Sequence, residues 1–331
     1  MPVRQSLVLV TAAVTLLAAT LLSLALGSTT IALADIFDVL PVIGEKDLDN
    51  PIYQIVNDLR IPRTVSAIVV GAALSVAGAL LQGALANPLA SPDIIGVTAG
   101  AGFGAMLLLL AIPDSVALVP ISALFFGLVA AAMVFSVAWA GRGGGGVARL
   151  VLAGIAVSAI FTAGTTMLMA AYPDRVSSAV FFIAGYLPYD GWSTLSQVWP
   201  YAAVGGVMAI LLIRPLDRLA LGDDVAQSLG ARPRAIRLQA AVAAALLAAA
   251  AAAMAGLLGF LGLVVPHVVR LAGGTSSHRF VVPASAVAGA ALLLLADTFA
   301  RRIAAPMDLP VGPFMVVLGV PLFLWLLRKA I

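Results

Sequence analysis

In this chain of 331 residues, 62% are hydrophobic and only 10% are charged, against about 25% charged in an ordinary soluble domain. That balance excludes a soluble fold and makes the chain a polytopic membrane protein. The net charge of +3 does not argue for nucleic acid, because the basic residues sit at the ends of apolar runs, where they act as topology signals.

Apolar runs separated by polar breaks predict spans near 6–26, 64–84, 94–112, 116–139, 149–171, 194–213, 236–256, 258–272, 281–299 and 311–328. The first follows a lone Arg4 and is long enough to cross. No clear Ala-x-Ala cleavage site follows it, so it reads as a span and not as a signal peptide. The loop 27–59 carries Asp35, Asp38, Glu45, Asp47, Asp49 and Asp58, too much charge to enter a bilayer, and is expected outside. Arg60 and Arg63 then open the second span. Its Gly71, Ala72, Ser75 and Gly78 let other helix backbones come close, which places this helix inside a bundle. Asn87-Pro88 and Ser91-Pro92 break the chain before the third span.

The Gly-rich run at 141–146 has no lysine, and the two lysines, Lys46 and Lys329, lie in no Gly-rich loop. The chain therefore has no P-loop with which to hydrolyse ATP. The fifth span mixes small and hydroxyl residues, among them Gly154, Val157, Ser158, Phe161 and Thr165. They suit a wide, weakly polar conduit, and an ordinary packing face has the same composition. Between Tyr172 and Trp192 the apolar core is about ten residues, too short to cross ~30 Å of hydrocarbon. It reads as a short helix at the outer mouth, with Tyr172, Tyr186, Tyr189 and Trp192 as interfacial anchors.

The polar loop 214–237 contains a short helical pattern opened by Asp223 and Asp224 and bracketed by Gly222 and Gly230. From the residues alone it is a solvated helix joining two spans. Residues 236–272 allow one long helix, giving nine spans, or two helices, giving ten. With the N-terminus inside, ten spans leave 12 basic residues inside and 6 outside, whereas nine leave 10 and 8. The positive-inside bias favours ten, and Gly256, Gly259, Gly262 and Pro266 supply the break. Asp297 is the one acid well inside an apolar run, and Arg301 four residues on is its expected partner. With no cysteine, and with His267 and His278 at no ligand spacing, no metal site is supported.

Several of these stretches fit one family. They are Arg60-x-Pro62-Arg63, the Gly71–Gln82 helix, the Asn87-Pro88-Leu89-Ala90 turn, Gly96-Val97-x-Ala99-Gly100-Ala101, Gly222-Asp223-Asp224-x-Ala226-x-x-Leu229-Gly230 and Gly259-Phe260-x-Gly262-Leu263-x-x-Pro266-His267-x-x-Arg270. Together they resemble the permease subunits of bacterial ABC importers for ferric siderophores, haem and cobalamin, the FecCD/BtuC type, over most of the chain. The resemblance implies an all-α polytopic fold of about ten transmembrane helices with a periplasmic gating helix at 172–192, a type II importer permease. It implies one permease domain over residues 1–331, multi-pass in the bacterial inner membrane with both termini cytoplasmic, and an inverted repeat of five spans that the two half-sequences do not reveal.

By the same resemblance, Arg60, Arg63 and Arg301 pair with glutamates of an extracytoplasmic substrate-binding protein, although headgroup contact is the plainer reading of arginines there. Arg302 has no such match. Gly222, Asp223, Asp224, Ala226, Leu229, Gly230 and Arg232 belong to a coupling loop that docks on a separate ATPase subunit. ATP and Mg are expected on that subunit, and this chain is expected to bind no cofactor, to catalyse no reaction itself and to have no nucleic-acid partner. A second permease copy, or a paralogue, completes the dimer in membrane lipid, with the fifth and tenth spans along the pathway. The expected cargo is a ferric siderophore. Haem or cobalamin is the alternative within the family, and an ion-coupled secondary transporter the alternative outside it.

Overall fold

The computed structural model describes residues 3–27, 29–39, 49–139, 147–188, 191–303, 305 and 307–330. The glycine run at 141–146, the loop residues Glu45, Lys46 and Asp47, and Tyr189 lie outside the described residues. Among the described residues there is no strand. Seven helices are long and apolar enough to cross a membrane and three more are shorter, and these ten correspond one for one to the predicted spans.

The first span is α1, Val3–Ala25, followed by a short α2, Leu33–Val39. The second starts earlier than its hydropathy suggests. Pro51 occupies the first helical turn of α3, Pro51–Gln54, and the Asn50 side chain accepts the Ile52 N–H at 2.9 Å, a combination that starts a helix locally. A π-helical stretch, Ile55–Arg60, carries this start without interruption into α4, Ile61–Ala84. The last part of the predicted 27–59 loop is therefore helical.

The expected small-residue face makes close backbone contacts in the bundle. A Cβ built on Gly71 would lie 2.4 Å from the carbonyl oxygen of Gly289, and one on Gly78 would lie 1.8 Å from that of Gly262. Only glycine permits these two crossings. They seat α4 against α13, His278–Ile303, and α12, Leu261–Gly273.

Two spans are only partly helical. α5, Val97–Met106, extended by a π turn to Ala111, follows a non-helical approach through a 3-10 turn at Pro92–Ile95 and a left-handed Gly96. α12 is preceded by the break at 256–260, where Gly256 and Phe260 both have positive φ. At 1.5 Å per residue α12 is about 20 Å long, short of the ~30 Å it must cover. Non-helical backbone at that depth is tolerated because it is enclosed by protein. The Leu257 N–H, for instance, donates to the Phe182 carbonyl at 3.1 Å.

The remaining elements are α6, Val119–Trp139; α7, Val147–Ala171; α8, Val176–Ala184; α9, Gly191–Leu219; α10, Asp223–Ser228; α11, Pro233–Ala255; and α14, Val311–Ala330. Arg237, at the start of α11, donates to the Ala84 carbonyl at the end of α4, 3.0 Å away. Arg4 caps the other end of the chain reversal by donating to Ala272 and Leu271 at 2.7 and 2.8 Å. The starts of α1 and α11 and the ends of α4 and α12 thus share one face, which also carries α10. Because α11 leaves that face and α12 returns to it, 236–272 is two passes, and the ten-span reading holds over the nine-span one. The third and eighth spans are both short, both follow a non-helical approach, and run in opposite directions. This matches the inverted repeat that the half-sequences do not reveal.

Candidate functional site

At the face opposite α10, the three arginines expected to meet a partner are turned inward. Arg60, Arg63 and Arg301 are only 4%, 1% and 2% exposed. Arg63 Nη2 lies 2.8 Å from Asp297 Oδ1, and Arg301 Nε lies 3.0 Å from Asp297 Oδ2. The expected Asp297–Arg301 pair therefore exists, but the same carboxylate also holds Arg63 from α4. Asp308, 3.6 Å from Arg63 Nη1, brings the group to two positive and two negative charges.

The guanidinium forks use their other donors as well. Arg301 Nη2 donates to Ser23 Oγ at 3.0 Å, and that hydroxyl shares a 2.8 Å hydrogen bond with Thr64. Arg60 donates to the carbonyls of Leu24 and Thr29, each at 2.5 Å. Arg63 stacks 4.9 Å over the Tyr186 ring and reaches its hydroxyl at 3.4 Å. Planar, permanently charged Arg suits such a cluster because it satisfies several acceptors at once. The cluster joins α1, α4 and α13 to the segment after α8. The three arginines expected to meet a partner are thus occupied within the chain, Arg63 and Arg301 by acids and Arg60 by backbone carbonyls, as buried guanidiniums must be.

The predicted gating segment is a nine-residue helix, α8. Its end is hydrogen-bonded to two other spans: Phe182 accepts from Leu257 at the α12 break, and Gly185 accepts from Gly312 at the start of α14, both at 3.1 Å. Its start is held by Arg175, which donates to the Leu110 carbonyl at 2.6 Å. Of the expected interfacial anchors, Tyr186 serves Arg63, and Trp192 donates to the Asn57 carbonyl at 3.1 Å. Both are ties within the protein.

At the other face, α10 begins at Asp223 as its sequence pattern predicts. Gly222 and Gly230 flank it with φ of 96° and 76°, and a Cβ on either would meet nothing within 4 Å, so backbone conformation alone asks for glycine there. Asp223 forms a two-pronged pair with Arg237, at 2.7 and 2.8 Å, and this pairing holds its carboxyl below the ordinary aspartate range. Ala226 is buried beneath the helix. Asp224 and Arg232 are exposed, as are the apolar side chains of Leu221, Val225 and Leu229. Leu221 and Val225 carry this ridge beyond the residues that the sequence singled out.

The candidate pathway residues on α7 mostly face inward. Gly154 packs on the Ile94 carbonyl, Val157 is buried beside Gly96, and Phe161 is buried between Phe103 and Phe126. Ser158 and Thr165 are half-buried, and Thr165 donates to the Phe161 carbonyl at 3.0 Å. Gly154, Val157 and Phe161 here seat α7 against α5 and its approach. The open face of α7 carries Leu152, Ile155, Ile160 and Met167 together with Thr162 and Thr166. Among the described residues no three His, Asp or Glu side chains converge where a cation could sit.

A sequence profile described as the FecCD transport family matches residues 15–329. The Fe(3+)-citrate import system permease protein YfmE of Bacillus subtilis (strain 168) is 36% identical over 282 residues, covering 85% of this chain and 84% of its own. The hemin transport system permease protein HmuU of Yersinia pestis is also 36% identical over 282 residues, covering 82% of each. Among solved structures, an inward-facing metal-chelate type ABC transporter superposes with a TM-score of 0.84 at 26% identity, covering 98% of this chain and 99% of that one.

Proposed function

We propose, from the premise that this chain belongs to the FecCD transport family, that it is the permease subunit of an ABC importer that brings a ferric siderophore into the cytoplasm by ATP-driven alternating access. The observation that carries the ATPase dependence is α10. Six residues are far fewer than the ~12–15 that an isolated helix needs, and α10 buries Ala226 while exposing Leu221, Val225 and Leu229. An apolar ridge on a short helix outside the membrane is a docking surface for another protein. The charge bias supports a cytoplasmic location for this face, where an ATPase subunit carrying ATP and Mg would meet it. Gly222, Asp223, Gly230 and Arg232 then act as the frame of the ridge.

On the opposite side we keep the α2–α8 face as the docking site of a substrate-binding protein. A glutamate arriving there would compete with Asp297 and Asp308 for Arg63 and Arg301. Since Arg63 also holds Tyr186, that exchange would reach the outer gate. A second copy would cover the exposed apolar faces of α7 and α14, including Val317 and Leu318, with the cargo passing between the copies.

Ferric chelates are placed first because YfmE is named for one. A haem permease is the second reading, supported by the equal identity of HmuU. An ion-coupled carrier is disfavoured because the intramembrane acid Asp297 is already held by two arginines.

The test is reconstitution with an ATPase subunit and a binding protein, followed by uptake of radiolabelled ferric citrate, ferric hydroxamate and hemin. ATP-dependent uptake of one cargo is expected, lost together with ATPase association in Leu221→Ser/Val225→Ser/Leu229→Ser. Uptake that needs no ATPase and follows an imposed ion gradient would overturn the reading.

A further inference from the structure

A groove of about 550 Å³ runs between α4, α9 and α13, lined among others by Ala72, Val76, Gly206, Ile210, Pro283 and Ala286. Every side chain lining it is apolar. Along α9 the lining extends from Trp199 to Ile213, about 21 Å at helical rise. That exceeds the ~15 Å hydrocarbon depth of one leaflet. Walls that are apolar over that length fit a lipid acyl chain laid along the groove.

Its end toward the α10 face is basic. Arg214 lies four residues past Ile210 on α9, and Arg279 four residues before Pro283 on α13, so each continues a lining stripe. Both are exposed. The one acid between them, Asp217, is occupied: it accepts the His278 backbone N–H at 2.6 Å and the Ser277 hydroxyl at 3.1 Å, shares a 2.9 Å contact with His278 Nδ1, and lies 4.0 Å from Arg279.

We propose that this groove is a binding site for one acidic phospholipid, with an acyl chain laid along α9 and α13 and its phosphate at Arg214 and Arg279. A net-negative headgroup is selected because a zwitterionic lipid would bring a cation to the same two arginines. The site is separate from the outer ion cluster and from the α10 ridge.

The test uses the full chain, incorporated into vesicles of equal parts phosphatidylglycerol and phosphatidylcholine, extracted in mild detergent and weighed by native mass spectrometry. One retained phosphatidylglycerol per chain is expected, enriched over phosphatidylcholine. Arg214→Gln/Arg279→Gln should lower that enrichment by about 5-fold per arginine while the groove still accepts either lipid. Gly206→Leu fills the groove from a position where a Cβ meets nothing within 4 Å, and should abolish retention of both lipids. Retention in the vesicle ratio by the wild type, unchanged enrichment in the double arginine variant, or unchanged retention in Gly206→Leu would each overturn the proposal.

Discussion

Replacing Asp297 with Asn tests whether the outer cluster is the electrostatic tie that its geometry describes. Asn keeps the shape and removes the charge from a fully buried position between two arginines at 2.8 and 3.0 Å. The gross attraction lost is about 5–6 kcal/mol per pair at an effective dielectric of 20, but much of that offsets desolvation already incurred. The net cost of breaking a buried pair while its partners stay buried is about 3–5 kcal/mol. Asp308, one-fifth exposed and 3.6 Å from Arg63, is left to balance two guanidiniums. In detergent, the Asp297→Asn protein should melt lower by roughly 4–7 degrees. The replacement Arg63→Met/Asp297→Leu/Arg301→Met should recover most of that loss, because an apolar cluster of similar volume incurs no charge-desolvation cost. An Asp297→Asn protein melting within a degree or two of wild type would refute the argument.

At the α4–α12 crossing, Gly78→Ala places a Cβ 1.8 Å from a backbone oxygen and should cost at least ~1–3 kcal/mol. Gly206→Ala on α9, with open space around it, should be neutral or slightly stabilising; melting of the two proteins side by side checks both. The Asp223–Arg237 pair depresses the Asp223 carboxyl, so its contribution is complete above the ordinary aspartate value of ~3.9 and is lost only as pH falls through the lower folded value. Hydrogen exchange of α10, corrected for the intrinsic pH dependence of amide exchange, should therefore be flat from neutral to mildly acidic pH. Asp223→Asn should raise it at every pH in that range by a factor corresponding to less than ~1 kcal/mol, since the pair is solvent-screened. Arg4→Ala removes two donors from the last carbonyls of α12 and should loosen the 273–277 connection by about 1 kcal/mol, read as faster proteolysis there.

Hydropathy and glycine and proline chemistry made much of this architecture legible. The ten spans, the break at 256–260 and the contact face at Gly71 and Gly78 all follow from local composition, because a membrane forces each segment to declare its length and its interruptions. The facing of side chains was far less legible. In a soluble protein, the apolar side of a helix marks its core. In lipid, both sides are apolar, so Val157 and Phe161 read no differently from Ile155 and Met167, although the first two are buried and the others exposed. The burial of the arginines was illegible for a related reason. Arg60 and Arg63 sit at the end of a span where exposure is the default, and the acid that turns Arg63 inward lies 234 residues further along the chain.

The same long-range pairing gives the outer face its mechanical meaning. Tyr186 is the residue after Gly185, whose carbonyl is bonded to the start of α14, and Gly185 follows α8, whose Phe182 carbonyl is bonded to the α12 break. Arg63 holds Tyr186 with one end of its fork and Asp297 with the other. Any partner that drew Arg63 away would therefore cut the tie between α4 and the segment on which α8, α12 and α14 converge. A surface arginine acting only as a docking point would have no such connection. A cluster of four ionised groups at the edge of the membrane is costly to bury, and replacing it with apolar residues need not weaken the fold. Under the docking proposed above its position has a use that an apolar cluster would lack, because apolar residues could hold α1, α4 and α13 together but could not respond to an arriving carboxylate.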